Sequence, residues 1–138
     1  MGMRDLKSNV KTVQTLAPKA HVANGLGVGV DTRGFDSAMA VLNAGLYTNG
    51  SFTFKLMESE TNVTSPESFT AVAAGDLDGA FAVIADAADD NVDIRVGYKG
   101  NKRYLRVDVD EPSSPNPATG MVAGASIVLG RAHQRPVA

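Results

Sequence analysis

His21 and His133 are the only imidazoles in the chain, and there is no cysteine. An imidazole does acid–base or nucleophile-activating work only when a carboxylate, hydroxyl or metal stands beside it. Neither histidine lies at a recognisable catalytic spacing from such a partner. The lack of cysteine excludes a disulfide framework and a thiolate zinc site. Asp86, Asp89, Asp90, Asn91 and Asp93 crowd oxygen ligands into one segment, the residue types that hold calcium. Their spacing is not that of an EF-hand, and no glutamate follows at the twelfth position, so the segment reads as a solvated acidic loop. Asp76 and Asp78 read the same way.

Other groupings have equally plain readings. Gly25-Leu26-Gly27-Val28-Gly29 has the look of a phosphate-cradling glycine loop, but that motif needs a strand before it and a helix after it. Here residues 30–34 continue as strand and turn. A carboxylate pair hydrolysing a sugar needs a lined cleft, and five Phe, three Tyr and no Trp are few rings to line one. Lys99, Lys102, Arg103 and Arg106 with Tyr98 and Tyr104 combine charge and rings as single-strand binders do. Acidic Asp108, Asp110 and Glu111 follow at once, and strand alternation puts Arg103 and Arg106 on opposite faces. A cross-strand salt-bridge surface is the simpler reading. The expectation is a non-enzyme with no metal, no cofactor, and neither nucleic acid nor membrane as partner.

The elements that must position these residues are strands. The 138 residues fit one domain, and an aromatic share of 6% predicts a thin core of Val, Ala and Leu. No apolar run approaches the ~20 residues of a membrane span, and residues 1–15 contain no apolar signal-peptide core. Asn62-Val63-Thr64 matches a glycosylation sequon and reads as chance without a secretory signal. The absence of cysteine fits assembly in a reducing cytoplasm. Charge is unevenly placed. Arg4, Lys7, Lys11 and Lys19 against Asp5 give residues 1–21 a net +3, and Arg131 with Arg135 gives the C-terminal end +2. Residues 22–130 hold seven bases against fourteen acids, a net −7. Basic ends on an acidic body suit docking or self-assembly.

Residues 1–24 read as an extended N-terminal arm that could add as a strand to a neighbour's sheet, with Pro18 ending it. From Leu26 apolar residues alternate with glycine, predicting one core face and one bare face open to a neighbour. Residues 38–46 and 51–59 flank Asn49-Gly50, a hairpin signal, and Phe52, Phe54 and Leu56 alternate with polar residues. Residues 92–99 and 103–110 alternate likewise about Gly100-Asn101, predicting a second hairpin. Residues 69–73 form a short strand, 80–88 a strand or one short helix, and 121–129 a last strand. That last strand has small residues on both faces, so it lies centrally or against a partner. Pro112, Pro115 and Pro117 make residues 111–119 an extended loop. About eight strands at this spacing predict an all-β, jelly-roll-like β-sandwich over residues 25–138, carrying the arm.

Three segments carry a family resemblance: residues 30–38 (VDTRGFDSA), 95–107 (RVGYKGNKRYLRV) and 123–133 (AGASIVLGRAH). Together they resemble the capsid cement, or decoration, proteins of short-tailed bacteriophages, over roughly residues 26–138. The resemblance implies a jelly-roll-like sandwich on the outer capsid surface of the virion, assembled in the host cytoplasm and bridging major capsid protein subunits. It implies no catalytic residue. With it comes the expectation of a homo-oligomer, most simply a dimer. The docking residues are then Arg4, Lys7, Val10, Lys11, Val13, Leu16 and Lys19 of the arm, with Arg131 and Arg135. The alternatives are a head–tail joining or tail component of such a virion, and a sugar-binding sandwich.

Overall fold

Alternation of apolar and polar residues becomes two packed antiparallel sheets in the computed structural model, which describes residues 5–63, 67–111 and 120–137. The strands are β1 (Lys11–His21), β2 (Val30–Asp31), β3 (Phe35–Tyr47), β4 (Thr53–Ser59) and β5 (Thr70–Ala71). They continue as β6 (Leu77–Asp78), β7 (Asp93–Tyr98), β8 (Tyr104–Asp110) and β9 (Met121–Ala132). One sheet has the order β1-β9-β3-β7-β6, the other β2-β8-β4-β5. The pairing is nested: β1 with β9, β2 with β8, β3 with β7 and β4 with β5, all antiparallel. The chain is an all-β sandwich.

The core lies between the sheets. Ala40, Leu42, Val96, Ala125, Ile127 and Leu129 face it from the first sheet, and Phe54, Leu56, Leu105, Val107 and Val109 from the second. In β9 the inward residues alternate with Val122, Gly124, Ser126 and Val128 on the outer face. β9 lies between two long neighbours, β1 and β3.

Both expected hairpins are corners between sheets. Residues 48–52 carry the chain from β3 in one sheet to β4 in the other, and residues 99–103 from β7 to β8. Both edges of β3 are already taken by β9 and β7, so β4 has no place beside it. The turn itself is real: Gly50 has φ +102°, and the Asn49 carboxamide oxygen accepts the Gly120 N–H at 2.8 Å. The second corner is tied by Tyr98. Its hydroxyl donates to Glu58 at 2.5 Å and accepts the Lys102 N–H at 2.9 Å.

The Gly-rich stretch is inverted relative to the expectation. Leu26 and Val28 are the exposed residues, and the glycines face inward. A Cβ on Gly27 would overlap the Val107 carbonyl oxygen and stand 2.7 Å from Thr15 Oγ1. A Cβ on Gly29 would overlap the Asn62 side chain. The bare face is met by the chain's own backbone. The small residues of β9 are likewise used internally: Ala123 and Ala125 are buried, and Gly124 lies against Pro18. In both stretches the small residues pack internally, while Leu26, Val28 and Val122 stay exposed.

Residues 11–21 are not an arm apart from the body. They form β1, paired with β9 from Lys11↔Leu129 to His21↔Met121, and Thr15, Leu16 and His21 are buried. The boundary at residue 24 therefore does not separate arm from sandwich. Residues 80–88 are largely irregular, joined to the body by reciprocal Phe52–Ile84 backbone hydrogen bonds of 2.8 and 2.9 Å and followed by a 3₁₀ turn at Ala87–Asp89. Arg4, Thr64 of the sequon, Pro66, and Pro112, Pro115 and Pro117 lie outside the described residues.

Candidate functional site

The start of β1, the start of β3 and the end of β9 lie at one pole of the sandwich. Lys11 pairs with Leu129, and Phe35 with Ala132. Thr32-Arg33-Gly34 turns the chain into β3. Gly34 takes φ +94°, and the Asp31 carboxylate accepts the Arg33 N–H at 3.0 Å. The C-terminal end folds onto this turn: His133 N–H donates to the Gly34 carbonyl at 2.9 Å, and His133 Nε2 lies 2.7 Å from Asp36. The N-terminal end joins it through a 3.0 Å bond from Val137 N–H to the Ser8 carbonyl. A cleft of about 420 Å³ lies between, lined in part by Lys11, Phe35, His133 and Pro136. Both ends of the described chain thus meet at one place.

Beside it, β2 is clamped to the corner before β8. Thr32 donates through its N–H and hydroxyl to the Arg103 carbonyl at 2.9 and 2.7 Å. The Arg103 guanidinium grips Asp31 with two bonds of 2.9 and 2.8 Å, and this contact holds the Asp31 carboxyl below its ordinary pKa. Planar bidentate pairing is the strong form of this interaction.

Arg106 lies on the outer face of β8 and is nonetheless buried. Its Nε and Nη2 contact both Asp108 oxygens at 2.8 and 3.0 Å, and Nη2 also reaches Glu67 at 2.8 Å. The guanidinium sits 4.2 Å from the Phe69 ring centroid, within cation–π range. Burial works against its charge, but the bonds to Glu67 and Asp108 outweigh it and its pKa is raised. Asp108 accepts the Gly27 N–H as well, at 3.0 Å. Alternation along β8 put this side chain on an outer face; only the fold brings residues 67–69 over it.

The acidic segment lies at the opposite pole, where its carboxylates are dispersed. Asp86 accepts the Ala88 N–H at 3.1 Å, Asp90 the Tyr47 N–H at 3.4 Å, and Asp93 the Asn43 amide at 2.6 Å. Among the described residues no three His, Asp or Glu side chains converge.

Of the residues expected to dock, Lys7, Lys11, Arg131 and Arg135 are exposed and come to the one pole. Lys19 is exposed near the far end of β1, opposite Ala123. Val10 and Val13 are half-buried, and Leu16 is 3% exposed, so its side chain belongs to the core. Exposed Arg33 reaches the basic pole without having been singled out; its place in the turn before β3 was the available signal. Comparison with protein-family models, with curated proteins and with solved structures finds no match.

Proposed function

We propose that this chain is a structural virion protein that binds the outer surface of a tailed-phage head and stabilises it by bridging major capsid protein subunits. One observation carries the reading. The three segments behind the resemblance, distant in sequence, pack as a single block: residues 30–31 on 104–105, 35–38 on 129–132, and 38 on 98. A shared architecture would require such a block. The nested pairing of β1/β9, β2/β8, β3/β7 and β4/β5 supports the jelly-roll form of the sandwich. In addition, Arg103, Arg106, Tyr98 and the Asp31 carboxylate are engaged in holding strands and corners together, which is work for a structural protein.

The outer face of the five-stranded sheet is the adhesive surface in this reading. On the outer face of the five-stranded sheet Met39 pairs with Val128 and Gly97, and Val41 with Ser126 and Arg95. That face sets apolar Met39, Val41 and Val128 beside charged Arg95 and Asp93, a mixed plate that could lie across two subunits. Densitometry of purified particles tests the proposal. Many copies in a fixed ratio to the major capsid protein are expected. A single low-copy ring would transfer the chain to the head–tail joint. Absence from particles, with glycan affinity in its place, would transfer it to sugar binding.

A further inference from the structure

We propose that the basic pole of one copy docks, head to tail, on the acidic pole of a second copy of this chain. Charge is distributed unevenly over the fold, and this contact is independent of shell binding. The two poles are the ends of one rigid element. β9 runs from Met121, beside the acidic segment, to Leu129, beside Lys11, a span of about 27 Å at strand rise.

The basic pole is built by the fold. Lys7 and Lys11 come from one chain end and Arg131 and Arg135 from the other, and the Val137–Ser8 and His133–Gly34 backbone bonds hold the two ends together. Lys55, Lys102, Arg103 and Arg106 are engaged in salt bridges. Among the described residues Lys11, Arg131 and Arg135 form none, so their charge faces outward. Among the described residues, Arg131 is also one of three non-glycine residues with positive φ, at +52°. A non-glycine side chain held there marks a position that the surroundings maintain at some cost.

The acidic pole offers the complement. Asp86 and Asp89 are exposed, and Asp86 accepts a hydrogen bond from the Ala88 N–H. Opposite charge at opposite ends gives an unlike, head-to-tail contact, which repeats into rings or rows instead of stopping at a symmetric pair. Exposed ion pairs are individually weak and are screened by salt. The contact therefore forms at high local concentration, such as on a shell where copies already stand side by side.

Sedimentation velocity on the purified full chain tests this. Wild type is expected to associate beyond a dimer as concentration rises at low ionic strength, and to return to monomer in high salt. Lys11→Glu with Arg135→Glu, and separately Asp86→Lys with Asp89→Lys, are each expected to weaken association at least about tenfold. Mixing the two variants should restore contact as a one-to-one pair, because the intact acidic pole of one meets the intact basic pole of the other. Circular dichroism establishes that both are folded, and the salt titration of wild type decides the matter alone if either is not. A wild type that stays monomeric at low ionic strength overturns the proposal. So does association that stops at two, or that neither reversal affects. If the basic-pole variant loses shell binding while wild type remains monomeric, the pole belongs to the shell and the second copy is excluded. Decoration of shells that survives both reversals leaves the shell reading standing whatever becomes of this one.

Discussion

The Thr15 hydroxyl accepts the Val107 N–H at 3.2 Å, tying the edge strand of one sheet to a central strand of the other. The same hydroxyl donates to the Val28 carbonyl at 2.7 Å, and the Thr15 carbonyl accepts the Val28 N–H at 2.6 Å. The register of β1 on β9 is irregular between Gln14 and Leu16, as an extra residue in an edge strand makes it. Thr15 is the residue at that irregularity. It turns an ordinary edge strand into a stitch across the open side of the sandwich.

Replacing Thr15 by Val keeps the shape and removes the hydroxyl. The Val28 carbonyl and Val107 N–H then lose a buried partner, a loss of about 1–3 kcal/mol. Thr15→Ser should retain most of the stability. Urea denaturation of the two variants checks this, and equal losses would mean that packing of the methyl group matters more than the hydroxyl.

Deleting residues 2–10 should leave a folded sandwich. Deleting residues 2–19 should not, because it removes most of β1, uncovers the edge of β9 and takes away Thr15 and Leu16. Circular dichroism and proteolysis distinguish the two truncations. A stable, cooperatively melting 2–19 deletion would restore the idea of a dispensable arm.

Arg106→Met leaves Asp108, 4% exposed, without its bidentate partner. Breaking one side of a buried ion pair costs about 3–5 kcal/mol. The double variant Arg106→Met with Asp108→Asn should recover part of that loss, since the remaining amide carries no charge. Chemical denaturation of both variants and wild type provides the comparison.

His21 is 3% exposed and its Nε2 lies 3.0 Å from the Ala123 carbonyl. Burial is the main cause that pushes its pKa below the ordinary 6.5, and nearby Lys19 adds to it. The unfolded chain therefore takes up the proton before the folded one does. This contribution to stability is complete above pH 6.5 and is lost as the pH falls below it. His21→Gln should flatten the decline in urea midpoint between neutral and mildly acidic pH. An unchanged decline would assign the acid sensitivity to other groups.

Gly27→Ala should destabilise by about 1–3 kcal/mol or more, because the new methyl overlaps the Val107 carbonyl oxygen and neither backbone has room to yield. Gly75→Ala serves as the control, since a Cβ there meets nothing within 4 Å. Thermal melts of the pair test the close approach directly.

Period-two alternation and turn residues are local properties, and they sufficed for the all-β class, for most strands, and for the turns at Asn49-Gly50 and Gly100-Asn101. They also identified the basic ends. A local signal cannot say which edge a strand will occupy. Asn49-Gly50 sets a reversal, but whether β4 pairs with β3 or crosses to the other sheet depends on β9 and β7, more than forty residues away, which already hold both edges of β3. For the same reason alternation in residues 26–30 could not tell which face would be buried. The tight approach of Val107, Thr15 and Asn62 decided for the glycines, because only a residue without a side chain fits there. The amino-acid order by itself determined the strands, the turns and the sign of charge along the chain. Tertiary structure alone decided that β1 belongs to the body, that Arg106 is buried, and that two distant basic ends share one pole. Those outcomes depend on long-range pairing, in which each strand takes the edge that the others have left open.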